Sequence, residues 1–228
     1  MREDGFAWWK QRFEQMSMYF DAFRIDHILG FFRIWSIPMH AVEGIMGRFH
    51  PAIAVHIKEF AEKSIWFDYG RYCRPDITEE IISKVFGEQS HFVKTTFLDY
   101  DDYEKYKMKV QFDTQRKVEA HFELLEDTEL NTWLRNELYS LISNVIFFEE
   151  ENSNGEKYHF RFGIEGTTSF QYLDRHTQHQ LKELYINYFF RRQDDYWMHE
   201  AMQKLPALKR VTNMLICGED LGLVPACV

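Results

Sequence analysis

Two short apolar segments, one towards each end of the chain, run straight into a carboxylate, and this pair limits the fold more than any other feature. Residues 21–26 (DAFRID) are short and largely apolar, and Gly30 in the following HILGFF marks where a strand gives way to a loop. Residues 213–217 (NMLIC) form a second such run and lead into Gly218-Glu219-Asp220-Leu221-Gly222. Both read as strands, so Asp26 and Glu219 fall at strand C-terminal ends. In parallel α/β barrels the chemistry sits there, on the loops that follow the strands. Caps and loop ends use the same residue types, so position alone leaves the structural and the catalytic reading open.

The first strand is preceded by an amphipathic stretch. Phe6, Trp9, Phe13, Met16 and Phe20 recur at spacings of 3, 4, 3 and 4, which predicts a helix from near Asp4. After Pro38 the pattern turns mainly helical, near 55–63, 77–86, 113–125 and 128–142. Asp76 followed by Glu79 resembles a capping box for the second of these helices, and Gly87 is placed to end it. VIFFEE (145–150) and KYHFRF (157–162) flank Asn152-Ser153-Asn154-Gly155, the pattern of a β-hairpin with Asn-Gly at its tip. One long helix is expected over roughly 175–203. The acidic cluster Asp99, Asp101, Asp102 and Glu104 reads as a solvated loop or helix start, because it lacks the spaced carboxylates and central glycine of a calcium loop.

Charge and composition narrow the function classes. A net charge of −9 repels phosphate backbones and anionic headgroups, so neither nucleic acid nor a membrane surface is an expected partner. No stretch approaches the roughly 18 uninterrupted apolar residues of a membrane span. Cys73, Cys217 and Cys227 form no even framework and show no metal-ligand spacing, which suits reduced thiols and a cytoplasmic location. Aromatic residues make up 17% of the chain, enough both to fill a core and to stack on sugar rings.

Resemblance adds specificity to these carboxylates. DAFRIDHILGFFRIWSIP resembles the signature around the nucleophile in glycoside hydrolase family 77, the 4-α-glucanotransferases known as amylomaltases or disproportionating enzymes, and LICGEDLGLVPACV resembles the second signature of that family. The likeness, to the plant-type branch and its bacterial relatives in particular, continues through RFGIEGTTSFQYLDRHTQHQLKELYINYFFRRQDDYW and LPALK. It implies a retaining enzyme that moves α-1,4-linked glucosyl units from maltose or maltooligosaccharides to glycogen or another α-glucan through a covalent glucosyl-enzyme. Asp26 would be the nucleophile and Glu219 the general acid/base. Retention needs two carboxyl groups about 5–5.5 Å apart. Arg24, two residues before Asp26 on the same strand face, would keep Asp26 ionised. Partial burial and the neighbouring carboxylate would raise the pKa of Glu219.

The resemblance implies further roles. His27 corresponds to a residue that hydrogen-bonds the sugar, with a purely supporting histidine as the alternative; Asp220 would grip a sugar hydroxyl or cap the following turn; Trp35 would stack on sugar or pack in the core. No cofactor and no metal is implied.

The family also uses a third carboxylate in a His-Asp-Asn signature, and these 228 residues contain none. The expectation is therefore a partial TIM (β/α)8 barrel fragment of a larger polypeptide, inactive alone and prone to self-association. One β/α unit takes roughly 30 residues, whereas Asp26 and Glu219 lie 193 apart. The excess implies an insertion. The expected division is 1–38 with the nucleophile strand, a mainly α-helical insertion with one β-hairpin over 39–205, and 206–228 with the acid/base strand. Two other readings stay open: a non-catalytic helical interaction module, and an α-amylase-superfamily hydrolase, since RIDH alone suits that wider group too.

Overall fold

The computed structural model describes residues 4–101, 105–220 and 224. Asp102, Glu104 and Cys227, together with most of the second signature after Asp220, lie outside them.

The N-terminal stripe forms helix α1 (Ala7–Met16), which buries Phe13 against Phe23 of strand β1 (Ala22–Ile25), with ring centroids 4.7 Å apart. Two short strands follow, β2 (Ile34–Ser36) and β3 (Arg48–His50). Phe13, Leu29, Phe31 and Phe32 form one core with Trp197, Ala201, Leu208 and Met214. The Arg33 guanidinium is held inside this aromatic wall, 3.9 Å from the Phe49 ring and 4.7 Å from that of Trp197. Cation–π attraction strengthens when the cation is desolvated, as it is here.

The next segment runs through β4 (Val55–His56), α2 (Ile57–Glu62), α3 (Tyr69–Tyr72), β5 (Ile77–Thr78), α4 (Glu79–Phe86), α5 (Ser90–Phe97), β6 (Leu98–Tyr100) and β7 (Lys105–Met108). It continues with α6 (Gln115–Phe122), α7 (Glu129–Ile142), β8 (Phe147–Glu149), β9 (Lys157–Phe160) and α8 (Thr168–Gln171). The four expected helices are α2, α4, α6 and α7. The hairpin is β8–β9, antiparallel from Phe147↔Phe160 to Glu149↔Tyr158. Asn154 and Gly155 both take positive φ, as its tight turn requires.

Four local expectations change. The hairpin is not the only sheet in this region: β4 extends it to the order β4-β9-β8, and β5, β7 and β6 make a second antiparallel sheet. Asp99 lies within β6 and Asp101 directly after it rather than at a helix start, with Lys107 paired to Asp101 at 3.2 Å. Thr78, not Asp76, caps α4 by accepting the Ile81 amide, because Asp76 is buried and bound by Arg71 at 3.1 Å and Lys105 at 2.9 Å. The long C-terminal helix is two, α9 (Arg175–Phe190) and α10 (Asp194–Met202). Buried Gln193 sits at the break, where its amide accepts from and donates to the Ile53 backbone.

After α10 come α11 (Leu205–Lys209) and β10 (Leu215–Gly218). Residue contacts divide the chain into two units: residues up to 35, 49–53 and from 186 onward form one, and 36–48 with 54–185 form the other. Residues 186–205, expected in the insertion, thus fall in the first unit, because Trp197 and Ala201 are buried in its core. The second unit has its own core, in which Ile82, Val93, Phe97, Val118 and Leu138 are all fully buried. In the first unit β1 pairs in parallel with β10. No helix among the described residues is long and apolar enough to cross a membrane.

Candidate active site

Strands β1 and β10 are hydrogen-bonded, parallel and in register, with Ala22↔Leu215, Phe23↔Ile216, Arg24↔Cys217 and Ile25↔Gly218. Asp26 and Glu219 follow the last pair, one residue beyond each strand. The ladder continues across them, since the Glu219 amide donates to the Ile25 carbonyl and the Ile28 amide to the Glu219 carbonyl, both at 2.9 Å. Adjacent strands lie about 4.8 Å apart, so segments 193 residues apart in sequence reach the same level at neighbouring strand ends.

The side chains around this junction differ in exposure. Asp26 is exposed, and Arg24 from the same strand face lies 3.7 Å from its carboxylate. An exposed pair of this kind adds little to stability, but it keeps a cation beside the carboxylate. Glu219 is half-buried, with its Oε2 accepting from the His27 amide at 3.3 Å. Asp220 is the most enclosed: its side chain is 5% exposed, Oδ2 accepts the Leu29 amide at 2.9 Å, and Oδ1 lies 3.6 Å from His27 Nδ1. The Asp220 carboxylate thus caps the turn after β1, and the turn that follows Asp220 in sequence lies outside the described residues. The His27 imidazole itself is largely exposed. Trp35 is half-buried with its ring edge-on to Phe49 at 4.8 Å, a packing contact.

Gly30 and Gly218, to which the sequence assigned no packing role, and Ile28 complete the junction. A Cβ on Gly218 would lie 3.2 Å from the Ile28 side chain, and one on Gly30 would lie 3.4 Å from the His27 ring. Gly218 thus lets the loop after β1 close over the end of β10. The signal was present in the sequence, because glycine inside a strand pattern marks a close approach. Its partner was not readable, since Ile28 lies 190 residues away.

Comparison with known proteins is consistent across the whole chain. Residues 1–228 match the family described as 4-alpha-glucanotransferase, glycoside hydrolase family 77. The 4-alpha-glucanotransferase DPE2 of Oryza sativa subsp. japonica is 39% identical over 234 residues, covering 100% of this chain and 24% of the rice protein. The chloroplastic/amyloplastic 4-alpha-glucanotransferase of Solanum tuberosum is 44% identical over 48 residues, 21% of this chain and 8% of its own. A 4-alpha-glucanotransferase of Synechocystis is 38% identical over 52 residues, 23% of this chain and 10% of its own. The chain thus spans about a quarter or less of the curated relatives it matches. No solved structure matches it.

Proposed function

Because the chain belongs to glycoside hydrolase family 77, the 4-alpha-glucanotransferases, we propose that it contributes the nucleophile and the acid/base of a retaining α-1,4-glucan transferase. The observation that carries this reading is the in-register parallel pair β1–β10, which delivers Asp26 and Glu219 to adjacent strand ends. Strand spacing of about 4.8 Å suits the separation of about 5–5.5 Å that retention requires. Two parallel neighbours with carboxylates at their C-terminal ends also suit membership of a (β/α)8 barrel.

In the first half-reaction an Asp26 oxygen attacks the anomeric carbon, the glycosidic C–O bond breaks, and Glu219 delivers its proton to the departing oxygen. In the second, a sugar hydroxyl attacks the same carbon and loses its proton to Glu219, and the ester to Asp26 breaks. Arg24 keeps a cation beside Asp26 and His27 offers its exposed imidazole to the bound sugar. Donors are maltose or maltooligosaccharides and the acceptor is glycogen or another α-glucan. A cytoplasmic site of action fits these substrates and the thiol content.

The test is incubation of the complete protein with maltose and glycogen, followed by chromatography of the sugars and of the glycogen chain lengths. Glucose release coupled to chain extension is expected. Asp26→Asn and Glu219→Gln should each lower the rate by about 10²–10⁴-fold. Wild-type rates in both variants would overturn the assignment. Glucose release without chain extension would instead favour the hydrolase reading.

A further inference from the structure

The turn after β1 directs three successive amides at the end of β10. The His27 amide reaches Glu219 Oε2 at 3.3 Å, the Ile28 amide reaches the Glu219 carbonyl at 2.9 Å, and the Leu29 amide reaches Asp220 Oδ2 at 2.9 Å. An extended chain could not do this, because its successive amides point in opposite directions. Convergence requires the left-handed conformation of His27, φ 53° and ψ 62°, which opens the short 3-10 turn at Ile28–Phe31. That conformation is strained for a residue with a side chain. It therefore persists only where surrounding contacts hold it.

The contacts that hold it are on the same junction. Ile28 packs on the bare backbone of Gly218, the His27 ring lies over Gly30, and the enclosed Asp220 carboxylate closes the turn through Leu29 and His27. We infer that Asp220 is a positioning residue of the transfer reaction, locking the left-handed turn whose His27 amide fixes the Glu219 carboxyl. Asp220 does not touch the glucan. With Oε2 of Glu219 occupied as an acceptor, Oε1 is the oxygen that carries and delivers the proton. The sequence pattern Glu219-Asp220 then has a division of labour: the first residue moves the proton, and the second holds the turn that aims it.

This inference rests on the transferase reading, and the two can fail separately. Steady-state transfer from maltose to glycogen in the complete protein should show that Asp220→Ala lowers kcat about 10–100-fold with little change in KM, the signature of a misplaced catalytic group. Asp220→Asn keeps an oxygen for the Leu29 amide and should recover a large part of that loss. A sugar ligand behaves differently: both variants would raise KM at unchanged kcat, and that result would overturn the proposal. A second pair guards against misfolding of the Asp220 variants. His27→Gly and His27→Val both lack the imidazole, but only glycine enters the left-handed region without strain. A lower kcat for valine than for glycine supports the turn's role, and equal kcat values overturn it. If Asp26→Asn and Glu219→Gln leave transfer intact, the transferase reading itself fails. If they abolish it while Asp220→Ala matches wild type, only the positioning role fails.

Discussion

The two units of this chain build different kinds of sheet. The unit built from residues 36–48 and 54–185 pairs β4 to β9 into three-stranded sheets and buries Phe147 and Phe160 completely between its elements. The other unit pairs β1 only with β10 among the described residues, and Trp8, Phe20, Ile34 and Leu215 remain more than half exposed, as Met39, Trp66 and Leu124 do in the first-named unit. Each unit also buries a satisfied amide, Gln115 in one and Gln193 in the other, but the exposed carboxylate of the candidate site belongs to the second alone. Gln115 in the first-named unit is fully buried with both amide ends satisfied, by the Val42 and Glu43 amides, the Glu43 carboxylate and the Tyr139 carbonyl. Asp26 and Arg24 in the other are held out at strand ends. What separates the units is the sheet pattern, three-stranded in one and the parallel pair β1–β10 with carboxylates at its ends in the other.

That contrast can be broken by experiment, beginning with the largest effects. The losses of about 10²–10⁴-fold expected for Asp26→Asn and Glu219→Gln should come with unchanged thermal midpoints, because both side chains lie outside the cores. A large drop in stability would show that the strand-end carboxylates are structural after all. The cysteines give a similarly large contrast. Burial, reinforced by Glu149 and Asp68, pushes the Cys73 thiol up to about 12, whereas Cys217 is exposed on β10. Only the thiolate reacts, so mass spectrometry after iodoacetamide treatment at pH 8 should find Cys217 modified long before Cys73. As pH rises towards 12 in a still-folded protein, the Cys73 rate should climb.

Core and cap variants follow in order of size. Phe97→Ala removes a ring stacked on Phe122 and edge-on to Phe112, and should cost about 3–5 kcal/mol in chemical denaturation. Gln115→Leu orphans buried amides and should cost about 1–3 kcal/mol. Gln193→Leu is its counterpart in the other unit, where the buried amide serves both backbone groups of Ile53. Equal costs would show that the units differ in their sheets and not in how they satisfy buried polar groups. The smallest effect is expected at Thr128→Ala, which removes the α7 cap on the Asn131 amide and should cost about 1 kcal/mol.

Much of this was legible in the residues themselves. The strand at 21–26 appears as Ala22–Ile25, and the run at 213–217 as Leu215–Gly218, one residue further on. The hairpin at 145–162 was legible because Asn154-Gly155 lies between two strand-like runs, VIFFEE and KYHFRF. The sheet β5-β7-β6 was not, because β5 is two residues long and β6 only three, one of them acidic, so neither has a periodicity of its own. The break between α9 and α10 was hidden for a related reason. Nothing in Arg191-Arg192-Gln193 stops a helix, and the bonds that reward stopping there go to Ile53.

By itself, then, the sequence determined local matters: where carboxylates end strands, where helices carry an apolar face, and which family's signatures it bears. Those depend on residues a few positions apart. Only the tertiary structure decided that β1 and β10 are in register, that residues 186–205 join the N-terminal helix in one core, and that Asp220 is turned inward to a loop 191 positions away. Register, core membership and side-chain burial come from packing between distant segments, and a fit such as Ile28 on Gly218 exists only once both have arrived.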